Sequence, residues 1–320
     1  MLAVMPLPVP TVEVRTRSTM VSTVDVLATD AARDVMRAGG NAVDAAIAAN
    51  AVLAVVGQHF CGLGGDLFAL VHRGDDPPAC LNASGRAGSG ADADRLLAEG
   101  HVAMPHRHDV RSVTVPGVVD GWVLLRERFG SMPLNEVLAA AIGHAVDGFA
   151  ASPLLVPSAE AVRRLPGGQD YADLAEPGQV VRRPGVASVL RDLGEEGRDA
   201  VYLGRYGDEL LAVGAGEFQR SDLQRVQADW VEPLGIRVWG HDVWTVPPNS
   251  QGYLSLVAAR IAEGLDLPPE DDPLRAHLLV EAAVQAGHDR PAVLYEGADG
   301  EGLVAEERLA PRRASISPDR

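Results

Sequence analysis

The stretch Gly39-Gly40-Asn41-Ala42-Val43-Asp44-Ala45-Ala46-Ile47-Ala48-Ala49 constrains this chain most, because it fixes where a helix begins and what must surround it. Gly39 and Gly40 can end a preceding helix, since glycine tolerates positive φ. Asn41 is a good N-cap. Asp44, three residues on, puts a carboxylate in the first turn, where it meets the positive helix end. The helix body beyond it is nearly all Ala and Val, with Asn50 as the main polar break. Such a helix, expected over 41–56, has no polar face, so it is buried and packed closely on a sheet. His59-Phe60-Cys61-Gly62-Leu63-Gly64-Gly65-Asp66 comes next. Its glycines either let backbone N–H groups approach another group closely or simply make a tight turn before a strand at 67–72.

The rest of the chain alternates helices and strands. Residues 1–25 read as an extended lead-in and first strand, and a helix over 29–38 has Thr29 as its N-cap. Strands at 67–72 and 79–83 flank the turn Arg73-Gly74-Asp75-Asp76-Pro77-Pro78. Between 133 and 211, helical stretches are punctuated by Pro166-Gly167-Gly168, Pro177-Gly178 and Pro184-Gly185. Residues 236–246 are rich in β-branched and aromatic side chains suited to strands. Further helices are expected at 252–265 and 275–288. With no repeat and no linker, residues 1–320 are expected to form a single domain of α/β layers.

Charge and composition exclude several functions. The chain has 28 basic and 44 acidic side chains, a net −16, which argues against nucleic-acid or anionic-membrane partners. Every one of the 28 is arginine. A Schiff-base lysine, a P-loop lysine and a serine–lysine pair are therefore excluded within this chain. Cys61 and Cys80 are too few for a disulfide framework or a zinc set, and suit free thiols in a reducing compartment. His106-Arg107-His108-Asp109 holds the only close His pair, a weak signal, so neither metal nor cofactor is expected. Residues 1–10 carry no charged side chain, and Pro6, Pro8 and Pro10 interrupt them, unlike a secretory leader. The longest apolar run, at 45–56, is too short for a bilayer. A cytoplasmic location is expected.

The helix start at 39–46 together with Gly62-Leu63-Gly64-Gly65 resembles the beginning of the gamma-glutamyltransferase family of N-terminal-nucleophile (Ntn) hydrolases. Later segments extend the resemblance. They include Val115-Pro116-Gly117-Val118-Val119-Asp120-Gly121-Trp122, Gly197-Arg198-Asp199-Ala200-Val201-Tyr202-Leu203-Gly204, Asp222-Leu223 and Val246-Pro247-Pro248-Asn249-Ser250-Gln251-Gly252. His277 to Ala282, Asp289-Arg290 and Glu307-Arg308-Leu309 complete the order. The resemblance implies a four-layer αββα sandwich completed by a second chain. It also implies that a precursor cleaves itself before a Thr, whose hydroxyl is the nucleophile and whose free α-amine, with a pKa near ~8, is the base. Met1-Leu2-Ala3 cannot serve, and the last threonine is Thr245. No catalytic nucleophile is therefore expected in this chain. It reads as the large (α) subunit, with the Thr at the start of a small (β) subunit from the same precursor. A dimer of such heterodimers is compatible with this reading.

In family members that transfer γ-glutamyl groups, a large-subunit arginine in an Asp-Xaa-Arg-Glu-Xaa-Ala-Pro pattern holds the substrate α-carboxylate. Here the region reads Leu81-Asn82-Ala83-Ser84-Gly85-Arg86-Ala87-Gly88, with the arginine shifted and its Glu neighbour gone. This is similar to the Ser-Gly-Arg-Ala-Pro variant of acylase-like and oxamate-hydrolase-like members. Asn249-Ser250-Gln251, where transferases tend to carry Ser-Ser-Gly, points the same way. The candidate substrate-binding residues are Arg86, Asn82, His59, Asn249 and Gln251. Each also has a plain structural reading: an ion pair for Arg86, a hydrogen-bonded core histidine for His59, and turn or capping residues for the amides. The expected activity is cleavage of an amide-type bond in a small carboxylate-bearing molecule, through an acyl-enzyme with water as acceptor. Two other readings stay open. One is a biosynthetic homologue that cleaves a C–C bond or a glutathione-type conjugate; the other is an inactive scaffold.

Overall fold

The computed structural model describes residues 19–105 and 109–318. The leader reading of residues 1–10, most of the lead-in strand expected in 1–25, and the pair His106 and His108 lie outside the described residues. Residues 19–25, which are described, form no strand. Helix α1 spans Val26–Arg37 and starts three residues before the expected position. Asp25 is its cap, accepting the Leu27 N–H at 2.8 Å. Thr29, the expected cap, instead meets the Thr23 hydroxyl at 2.7 Å.

Helix α2, Ala42–Val56, is the centre of the larger core. Asn41 Oδ1 accepts the N–H groups of Val43 and Asp44, and Asp44 Oδ2 accepts the Asn41 N–H in return. Asn41 Nδ2 also donates to Phe129 O at 2.7 Å, the last residue of α3 (Val118–Phe129). Asp44, fully buried, accepts the Ser131 hydroxyl at 2.6 Å and the N–H groups of Ser131 and Met132. One Asn–Asp pair thus caps the start of α2 and clamps the exit of α3. Gly40 fits closely here: a Cβ would stand 2.6 Å from Met132 Sδ and 2.7 Å from Val35 Cγ1, so those side chains would have to shift. Asn50, the polar break in α2, accepts the Trp122 indole N–H at 2.8 Å.

A three-stranded antiparallel sheet lies on this helical core, in the order β1 (Leu67–Val71), β2 (Ala79–Ala83) and β3 (Asp229–Val231). Gly121 of α3 lets the helix approach Leu67 and Ala83 on the inner face. On the other face of β1, Phe68 and Leu70 are 40% and 41% exposed. A hairpin of β4 (Leu234–Val238) and β5 (His241–Thr245) carries the second core. There Leu234, Ile236 and Val238 gather with residues of α8 (Tyr253–Glu263), α9 (Pro273–Gly287) and α10 (Glu306–Ala314). Four further helices pack into the larger core: α4 (Ala139–Asp147), α5 (Pro184–Glu196), α6 (Arg198–Tyr202) and α7 (Arg205–Val213).

Asp44 links the α2 start to pH. Burial pushes its carboxyl up, but the hydrogen bonds from Ser131, Asn41 and Met132 outweigh that and hold it below the ordinary 3.8. A depressed carboxylate stabilises the fold above its unfolded pKa, and that contribution is lost as pH falls through the folded one. Asp44→Asn sets an amide N–H₂ against backbone donors. We expect it to cost about 2–4 kcal/mol at neutral pH, and the charge-dependent part of the deficit to fade below pH 3.8. Urea unfolding of both proteins across that range reads the difference.

Candidate functional site

The Val115–Trp122 segment, the Gly197–Leu203 turn and Asp222-Leu223 are far apart in sequence, and one buried ion pair joins them. Asp120, 1% exposed in the first turn of α3, accepts Arg198 Nε at 2.7 Å and the Gln227 N–H at 2.6 Å. Arg198 Nη2 donates to Leu223 O at 3.0 Å and Arg225 O at 2.5 Å, and the guanidinium stacks 4.4 Å from the Tyr202 ring. Tyr202 in turn donates to Pro116 O at 2.5 Å. The Gly-rich turn is bound to the same assembly, since Gly65 O accepts the N–H groups of Gly117 and Val118. A Cβ on Gly117 would stand 2.1 Å from Ala83 O, so only glycine lets this segment reach the end of β2.

The candidate side chains sit on that end of β2. Asn82 Nδ2 donates to Asn249 Oδ1 at 3.0 Å, and Asn249 Nδ2 donates to Ser84 Oγ at 2.9 Å. The Ser84 N–H returns to Asn82 Oδ1 at 3.1 Å, and Thr114 Oγ1 donates to Ser84 O at 3.2 Å. Arg86 is next, tied to Val115 by a backbone bridge. Its Nε donates to Val226 O at 3.0 Å and its Nη2 to Asp229 Oδ2 at 2.5 Å. Asp229 is the register partner of Asn82 on β3, so Arg86 arches back over the same corner. Its Nη1 has no partner among the described residues, and its side chain is 33% exposed.

The structure therefore brings Asn82, Asn249 and Arg86 together. Gln251 lies two residues beyond Asn249 and accepts from Arg290 Nη1. His59 stands outside this network. Its ring is 4.1 Å from that of Phe60, and neither of its buried nitrogens has a partner among the described residues. Burial lowers its pKa, against a smaller upward pull from Asp25 at the start of α1. The geometry adds Ser84, Thr114 and Asp229, which sequence reading did not select. Ser84 lay inside the Ser-Gly-Arg motif, whereas Asp229 had no local signal, because only the strand register places it.

The corner is a network of neutral amides and a hydroxyl beside one guanidinium. Ser84 Oγ accepts from an amide, and no histidine or carboxylate is hydrogen-bonded to it as a base among the described residues. Burial pushes the Cys61 thiol up, and burial together with Glu232 pushes Cys80 up to about 11, so neither is a ready thiolate near neutral pH. Among the described residues, no three His, Cys, Asp or Glu side chains gather as a metal-binding group.

Comparison with known proteins identifies the family. A family model described as Gamma-glutamyltranspeptidase matches residues 28–320. The chain is 32% identical over 313 residues to the oxamate amidohydrolase proenzyme of Klebsiella pneumoniae, covering 91% of this chain and 58% of that protein. It thus spans little more than half the length of this curated relative. Among solved structures it resembles Helicobacter pylori gamma-glutamyltranspeptidase, with a TM-score of 0.87 and 22% identity, over 96% of this chain and 94% of that one. It also resembles the cephalosporin acylase of Bacillus halodurans, with a TM-score of 0.82 and 32% identity, over 91% of this chain and 58% of that one. The mixed helix-and-sheet fold is that of the Ntn-hydrolase structures in this family, and the chain belongs to the gamma-glutamyltranspeptidase family.

Proposed function

We propose that this chain is the large subunit of a hydrolase that cleaves an amide-type bond in a small carboxylate-bearing molecule. The nucleophile is a Thr at the start of a small subunit released from the same precursor. The observation that carries the reading is the Asn82–Asn249–Ser84 network beside Arg86. Two neutral amides and a hydroxyl are suited to orienting an amide, and the outer edge of the Arg86 guanidinium is suited to a carboxylate. Asp229 already neutralises part of that guanidinium, which weakens the site for the full head group of a γ-glutamyl substrate. The apolar outer face of β1, with Phe68 and Leu70, supports a second chain as the missing cover. The hydrogen bonds between Asn249 and the β2 end support treating residues 1–320 as one domain. Free Cys61 and Cys80 suit a cytoplasmic, reducing location.

N-terminal sequencing of the chain that co-purifies with this one is the direct test. A first residue of Thr, Ser or Cys is expected; any other overturns the enzyme reading. A γ-glutamyl-anilide assay with a dipeptide acceptor is expected to show hydrolysis well above transfer, and efficient transfer would refute the proposed branch.

Arg86→Lys keeps the charge but loses the planar fork. We expect kcat/KM to fall about ten- to a hundredfold, with little change in the melting temperature of the assembled enzyme. Unchanged kinetics with a lower melting temperature would instead assign Arg86 to the Asp229 ion pair alone.

A further inference from the structure

A cavity of about 390 Å³ lies between the Gly62–Gly64 turn and the N-terminal turns of α5 and α7. None of the five candidate residues above lines it. Its size is that of a small-molecule site, and its walls carry both signs of charge. Arg183 supplies the positive side. Its Nη1 donates to Ala54 O at 2.8 Å and Val55 O at 3.2 Å, among the last carbonyls of α2. Its Nε is buried without a partner among the described residues, and Asp170, at 3.9 Å, is too far for a hydrogen bond. The Tyr171 ring, outside the cavity lining, lies 5.5 Å from the same guanidinium and backs it.

The helix ends beside Arg183 have the same polarity. Neither α5 nor α7 has a side-chain N-cap, so their first-turn N–H groups add positive potential. The opposite sign comes from Asp170 and Asp192, while Glu209 is matched by Arg205 at 3.0 Å. Leu63, Val186 and Val189 make the apolar part of the wall. A simple anion would meet the carboxylates, and a simple cation would meet Arg183 and the helix ends. A ligand that separates the two charges by a few bonds and carries an apolar side chain matches the whole lining.

We propose that this cavity is a second binding site, for a small apolar amino-acid-type zwitterion. Its carboxylate is held by Arg183 and the first turn of α5, and its ammonium by Asp170 and Asp192. The proposal does not depend on the reaction at the Asn82–Asn249 corner. Calorimetric titration of the purified protein with L-leucine tests it, with acetate and butylamine as single-charge probes. Saturable L-leucine binding is expected, about tenfold or more tighter than either probe. Ser188→Phe, which fills the cavity from α5, is expected to abolish it. Arg183→Gln should weaken it about tenfold or more; should that variant misfold, Ser188→Phe with native circular dichroism still decides. Arg86→Lys is expected to leave the L-leucine affinity unchanged. Absence of saturable binding, acetate binding as tight as L-leucine, full binding by Ser188→Phe, or loss of binding in Arg86→Lys would each overturn the proposal.

Discussion

The buried pair of Asp120 and Arg198 is the interaction on which the rest of this structure depends. Burial pushes the Asp120 carboxyl above its ordinary value, so the charge persists only because donors surround it. Those donors come from distant segments: the guanidinium of Arg198 at the start of α6 and the backbone N–H of Gln227. Gln227 lies two residues before β3, and β3 carries Asp229, which holds Arg86. A fault at the ion pair would therefore pass through Gln227 and Asp229 to the Asn82–Arg86 corner. Removing one partner of such a pair leaves an uncompensated buried charge, a loss of about 3–5 kcal/mol.

The absence of lysine takes on a structural meaning here. Arg198 reaches a carboxylate, two carbonyls and an aromatic face at once, and Arg183 bridges two helix-end carbonyls while stacking near Tyr171. Each uses the planar fork, with its donors fixed in direction. An ammonium on a flexible stem cannot make these simultaneous contacts. The sequence motifs that suggested a family are thus largely scaffold, because Arg198, Tyr202, Asp120 and Gly117 hold distant segments together.

Legibility in the sequence tracked the range of the interactions. The start of α2 was readable because Asn41 and Asp44 act within four residues, and strands β1 and β2 because their turn is local. Asp25 displaced Thr29 as a cap because Thr29 found a hydroxyl partner in Thr23, a choice between neighbours that propensity does not make. At the candidate site, Asn82, Arg86 and Asn249 were visible as unusual residues at motif positions. That Asn82 meets Asn249, or that Arg86 turns back to Asp229, was not visible, since both rest on sheet register and on contacts across long stretches of chain. His59 looked similar to the others in sequence, but its ring lies against Phe60 with no hydrogen bond to the corner.

Those long stretches also set an order of events during synthesis. The Asn82–Asn249 bond closes a span of 167 residues, and the Arg86–Asp229 pair closes one of 143. At ribosomal rates of about 5–20 residues per second, the second half of the corner emerges roughly 8–30 s after the first. During that interval Asn82 and Arg86 have none of these distant partners, although α1, α2, β1 and β2 already have their local contacts. The Asn82–Arg86 corner is therefore completed late, in a chain whose first helices are already made, and a prematurely terminated chain would keep the local Asn82–Ser84 contact without the bonds to Asn249 and Asp229.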